Sequence, residues 1–108
     1  MLLSLKSIKK KYYSNNVVGT LNLLKIIKNS SVKNFICSSS AGVYGNIKKA
    51  AKETMKTKPI NYYAFTKLKC EILIKKYSKM YNFNYAILRY FNVAGASKSG
   101  KIGITNKK

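Results

Sequence analysis

The stretch Tyr63-Ala64-Phe65-Thr66-Lys67 sets a phenol and an ammonium four residues apart. On a helix that spacing puts both side chains on one face, one turn apart, where they can interact. A tyrosine hydroxyl with its ordinary pKa near 10 is a poor base at neutral pH, but a cation a few ångströms away favours the phenolate. Tyr63 thereby becomes a candidate proton acceptor. The spacing alone is weak, because Tyr and Lys recur throughout the chain. Its context strengthens it: Ser38-Ser39-Ser40-Ala41-Gly42-Val43-Tyr44-Gly45 follows a short apolar run. That order places hydroxyls at the carboxyl end of a strand, where open α/β sheets hold their ligands, and a serine there could donate to a substrate oxygen.

Four elements must position these groups. From about residue 12 to 29, Val17, Leu21, Leu24 and Ile27 follow a helical spacing, and Asn29-Ser30-Ser31 supplies the stop. Residues 32–38 hold Phe35, Ile36 and Cys37 in a short apolar run with polar residues on both sides. This predicts a strand buried on both faces, the usual setting of a parallel sheet. Residues 39–61, with Gly42, Gly45 and Pro59 and no sustained period, predict a long loop. Residues 62–81 contain no Gly or Pro and carry Tyr63, Lys67, Cys70, Ile74 and Tyr77 along one side, which predicts a helix. A second strand follows over residues 85–91, and then a Gly/Ser/Lys-rich tail. The order helix, strand, loop, helix, strand is part of a βαβ succession with a right-handed crossover and two parallel strands.

Composition removes several chemistries. The chain has 108 residues, no His and only two acidic side chains, Glu53 and Glu71. That excludes a Ser-His-Asp triad, histidine metal sites and aspartyl nucleophiles, and no metal is expected. Nor do the two glutamates, one in a loop and one in a helix, suggest a glycosidase acid/base pair. Cys37 and Cys70 lack CxxC spacing and read as buried thiols of a reducing, cytoplasmic setting. No stretch approaches the roughly 20 apolar residues of a membrane span. Twenty-two basic residues give a formal net charge of +20, which would attract polyanions. Arg89 is the only arginine, however, and the lysines are scattered through every expected element. Readers of phosphates and bases lean on the bidentate guanidinium, so this pattern argues for compositional bias and against nucleic acid.

The order of strand, SSS, VYG, loop and YxxxK helix resembles the extended short-chain dehydrogenases. Two further stretches narrow the resemblance to the nucleotide-sugar 4-epimerases that interconvert UDP-glucose and UDP-galactose. These are Tyr12-Tyr13-Ser14-Asn15-Asn16-Val17-Val18-Gly19-Thr20-Leu21-Asn22-Leu23-Leu24 and Leu88-Arg89-Tyr90-Phe91-Asn92-Val93-Ala94-Gly95-Ala96. The resemblance covers about residues 12–97, while 1–11 and 100–108 do not match it smoothly. Where related 4,6-dehydratases carry an acidic pair, this chain has Ala41-Gly42, which favours epimerisation over water elimination. The ending Gly95-Ala96, in place of Gly-Pro, points the same way. Tyr62 and Ala64 replace the family's usual proline and glycine around the tyrosine.

The resemblance implies NAD as cofactor and a UDP-sugar as substrate, with no membrane partner and, in the full-length relative, a homodimer. It implies that Tyr63 removes the proton of the sugar 4-hydroxyl, that Lys67 assists Tyr63 and bonds the nicotinamide ribose, and that Ser40 acts at the same hydroxyl. Asn15 and Phe91 match cofactor-contacting positions and Asn92 a substrate-contacting one. Each has a structural alternative: Asn15 as a helix cap, Phe91 as core, and Ser38 and Ser39 as backbone supports. The expected fold is α/β, a partial Rossmann-type parallel sheet over residues 1–97 with a disordered tail over 98–108. It lacks the N-terminal dinucleotide-loop half and the C-terminal substrate domain, and a chain so built is expected to be inactive alone. The alternative function is a small basic polyanion-binding protein that retains epimerase-like motifs.

Overall fold

The computed structural model describes residues 4–91, 95, 97–101 and 103. The chain opens on a long helical rod. Ser4 caps it, its hydroxyl accepting from the Ser7 amide at 3.2 Å. Helix α1 (Leu5–Tyr12) widens into a π-turn (Tyr13–Val18) and resumes as α2 (Gly19–Ile27). The rod therefore begins well before residue 12, where the apolar spacing starts. The lysine-rich first turns have no buried residue, so no periodicity marks them, although lysine is a good helix former.

Strand β1 (Asn34–Ser40) pairs in parallel with β2 (Asn84–Tyr90), with Phe35 opposite Tyr85, Cys37 opposite Ile87 and Ser39 opposite Arg89. The three serines thus form the last three residues of the ladder and do not follow it. The long loop is also shorter than expected, because a 3₁₀ turn (Ala41–Tyr44) leads out of β1. Gly45 ends that turn at φ 75°, where a side chain would also run into the Lys58 carbonyl oxygen.

Helix α3 (Tyr62–Tyr81) has the expected bounds. Asn61 caps it by accepting from the Ala64 amide at 2.8 Å, and Asn82 ends it in the left-handed region at φ 54°. Leu24 and Ile27 of α2 meet Ile74 of α3 and Phe83 in the core, with Phe35, Cys37, Leu73, Tyr77 and Tyr81 packed around them. Burial of each large apolar side chain here stabilises by about 1.5–3 kcal/mol.

Strand β1 is not buried on both faces as expected. Phe35, Cys37 and Ser39 of β1 face the helices, whereas Ile36 on the opposite face is 70% exposed and Leu88 of β2 is also exposed. Alternation along a strand sends successive residues to opposite faces, and the described helices pack on one of them. Residues 102 and 104–108 of the expected tail lie outside the described residues.

Candidate active site

The carboxyl end of β1 and the first turns of α3 carry the groups singled out in the sequence. Lys67 donates from Nζ to the Ser38 carbonyl at 3.1 Å and lies 5.7 Å from the centre of the Tyr63 ring. Tyr63 is 39% exposed, and its ring packs edge-on against that of Tyr12 with centroids 5.5 Å apart. Ser40 accepts from the Gly42 amide through Oγ at 3.1 Å, which opens the 3₁₀ turn. Gly42 is what lets this turn approach α3. A Cβ there would stand 3.0 Å from the Ala64 Cβ and 3.1 Å from the Ile60 Cγ2. Among the described residues, neither the Ser40 hydroxyl nor the Tyr63 hydroxyl donates to an acceptor, so both protons are free for a bound molecule.

The remaining expected site residues are Asn15, Phe91 and Asn92. Asn15 is exposed within the π-turn, in the middle of the rod, so it does not cap a helix. Its neighbour Asn16 makes the inter-helix contact: Nδ2 donates to Thr66 Oγ1 at 3.0 Å, and the Asn16 carbonyl accepts from the Cys70 thiol at 3.0 Å. The wider spacing of a π-turn offers a backbone carbonyl to such an outside donor, and such turns are frequent at functional sites. Phe91 is 69% exposed at the end of β2 and is not core. It borders a cleft of about 450 Å³ with Tyr44, Glu53, Lys75 and Arg89, which none of Ser40, Tyr63 and Lys67 lines. Asn92 lies outside the described residues.

Sequence reasoning missed Glu71. It is 1% exposed and accepts three hydrogen bonds: from Ser39 Oγ at 2.6 Å, Arg89 Nε at 2.9 Å and Arg89 Nη2 at 2.7 Å. Burial opposes its charge, but the bonds from Arg89 and Ser39 outweigh that and hold the carboxyl below its ordinary value. The same contact raises the arginine further, and its guanidinium stacks 4.8 Å over the Tyr44 ring. The available signal was a single glutamate on a helix with many lysines, though spacing cannot say which cation it meets. Burial pushes the Cys37 thiol up, Cys37 and Cys70 are both free, and Cys70 is buried. The described lysines other than Lys67 are exposed and distributed over α1, α2, α3 and the loops. That is the pattern of a solvated surface more than of a groove tracking a phosphate backbone. Among the described residues, no cluster of ligating side chains could hold a metal, and no helix is long and apolar enough to cross a membrane.

Comparison with known proteins places this geometry. Residues 5–106 match the NAD dependent epimerase/dehydratase family, wider than the stretch carried by the motifs. The chain is 45% identical over 101 residues to a UDP-glucose 4-epimerase of Lactobacillus helveticus, covering 91% of this chain and 31% of that protein. It is 40% identical over 94 residues to the Streptococcus mutans UDP-glucose 4-epimerase, covering 86% and 28%. Among solved structures, the Brucella ovis UDP-glucose 4-epimerase in complex with NAD aligns with TM-score 0.82 at 39% identity, over 89% of this chain and 30% of that one. A Bacillus cereus UDP-glucuronic acid 4-epimerase in complex with NAD aligns with TM-score 0.81 at 33% identity, over 88% and 31%. The chain thus spans under a third of the length of these relatives.

Proposed function

This chain belongs to the NAD-dependent epimerase/dehydratase family, and on that premise we propose that it carries the proton-transfer centre of a UDP-glucose 4-epimerase. The observation that carries the proposal is that the Lys67 ammonium lies between the Tyr63 ring and the Ser38 carbonyl, two residues from Ser40, whose hydroxyl donates to no acceptor among the described residues. Tyr63 takes the proton of the sugar 4-hydroxyl, Ser40 donates to the same oxygen, and the Lys67 ammonium stands beside the Tyr63 ring, 5.7 Å from its centre. The Lys67–Ser38 bond fixes that ammonium relative to the strand end. A 4-keto sugar results, and its return to either 4-hydroxyl epimer uses the same groups in reverse.

These residues fit one end of the cofactor. Tyr63 is 39% exposed, and Lys67 is the candidate donor to the nicotinamide ribose. Asn15 and Phe91 are further candidates, on the π-turn and at the end of β2. When bound, NAD supplies the hydride acceptor and donor at the sugar C4. No glycine-rich phosphate loop occurs in these 108 residues, so this polypeptide by itself is expected to be inactive. The substrate is read as a UDP-hexose, with Asn92 a candidate contact, and the homodimer remains an expectation for full-length relatives.

The test is a chimera in which this chain replaces the matching segment of the Lactobacillus helveticus enzyme. Turnover of UDP-galactose is expected, and Tyr63→Phe in the chimera should lower kcat by about 10²–10⁴-fold. A folded chimera that binds NAD yet leaves UDP-galactose unchanged would sink the reading. Turnover by the isolated 108-residue chain would overturn the expectation of inactivity.

A further inference from the structure

Ser40 is held from both sides. On its N-terminal side, Lys67 grips the Ser38 carbonyl at 3.1 Å, and one helical turn later Glu71 grips the Ser39 hydroxyl at 2.6 Å. On its C-terminal side, the 3₁₀ turn lies against α3 through the close approach of Gly42 to Ala64. That turn also accepts the Ile60 amide at the Gly42 carbonyl and the Lys58 amide at the Val43 carbonyl, both at 2.9 Å. Arg89 joins the two sides. It binds both Glu71 oxygens from β2, and its guanidinium stacks on Tyr44, the last residue of the turn.

We infer that Glu71 and Arg89 are positioning residues that set Ser40 against Tyr63 and Lys67, by tying β1, β2, the 3₁₀ turn and α3 into one closed ring of contacts. Geometry supports this beyond simple cohesion. Glu71 sits one turn from Lys67 on the same face of α3, so any tilt of the helix that moved Tyr63 would also strain the Ser39 bond. Arg89 is the single arginine among 22 basic residues, and it stands where a planar fork is required: two parallel bonds to a carboxylate and one face on a ring. A lysine there could keep the charge but not both contacts. The inference rests on the reading of Ser40 and Tyr63 as reacting groups, but the contacts it concerns can be measured without cofactor or sugar.

The test is amide hydrogen exchange on the intact chain. The Gly42 amide reports the Ser40 rotamer, and the Ile60 and Lys58 amides report the docking of the turn. Glu71→Gln and Arg89→Lys should speed exchange at these three amides by about tenfold or more beyond the change in the α2–α3 core. Ile27→Val, a distant core change of modest cost, is the control and should raise exchange evenly. Should Glu71→Gln fail to fold, Ser39→Ala removes one bond of the ring with the ion pair intact and should show the same selective rise. Equal rises in variant and control, or none at Gly42, would overturn the inference. Selective rises in a chain whose chimera proves inactive would leave the ring standing and remove only the epimerase reading.

Discussion

The two faces of the sheet differ more than their sequences do. On one, Phe35 and Cys37 pack against α2 and α3, and Ser39 and Arg89 close around Glu71. On the other, Ile36, Leu88 and Tyr90 stand exposed. β1 and β2 supply both, with side chains alternating at single-residue spacing. Burial is thus decided by where the helices lie and not by the apolar character of the strand. Positioning of the proposed proton-transfer groups belongs to the covered face, because α3 carries Tyr63, Lys67 and Glu71 together. The open face keeps hydrophobic side chains without a task in the described residues.

The sharpest way to separate the faces is to cut the buried ion pair. Glu71→Ala leaves the Arg89 guanidinium, 13% exposed, without its carboxylate, and should cost about 3–5 kcal/mol in urea unfolding. Replacing both partners, Glu71→Leu with Arg89→Met, should cost less than the sum of the single changes. The pair also predicts an acid limb. The folded Glu71 carboxyl is held below its reference value of 4.5. Its contribution is therefore fully present above that pH and is lost as pH falls through the lower folded value. Glu53 is the only other side-chain carboxylate, so Glu71→Gln should flatten most of the fall in urea midpoint between pH 5 and strong acid. An unchanged acid limb in that variant would break the assignment.

Next in size is the core of the covered face. Ile74 is fully buried between α2 and α3, and Ile74→Ala should cost about 2–5 kcal/mol through lost transfer energy and the cavity left behind.

These two effects differ in how far the sequence announces them. Ile74 lies on the apolar stripe of a helix free of Gly and Pro, so both α3 and its core position were legible from periodicity. The same holds for the two parallel strands, announced by the order of elements, whereas Ser40, Tyr63 and Lys67 were singled out by spacing and by resemblance, and their roles are the proposal itself. Glu71 was not legible, because its partners lie 32 residues before it and 18 after. Spacing rules see one element at a time. The early turns of the rod were hidden for the opposite reason, since a helix side that packs on nothing carries no apolar period. The π-turn has no sequence signature of its own beyond the asparagine pair within it.

A smaller effect is expected at the seam between turn and helix. In Gly42→Ala the new methyl would meet Ala64 and Ile60 at 3.0 and 3.1 Å, tighter than normal packing. α3 or the turn must shift by a few tenths of an ångström. The stability cost should be about 1–3 kcal/mol. In the chimera, on the proposed role of Ser40 as a donor to the reacting oxygen, kcat should fall more than KM rises. A fall confined to KM would mean that the seam shapes binding only.

The smallest effect is expected on the open face, and it tests the comparison most directly. Ile36 is more exposed than any other apolar residue of β1, so Ile36→Lys removes little buried area and should change stability by less than about 0.5 kcal/mol. It should nevertheless change behaviour. An exposed apolar face on a sheet that has two strands among the described residues templates association, so the variant should stay monomeric in light scattering at concentrations where the parent chain associates. A loss of stability above about 1 kcal/mol, read at a concentration where the parent is already associated, would show that Ile36 is buried in solution by a second molecule. The two faces would then differ in what covers them, and not in whether they are covered.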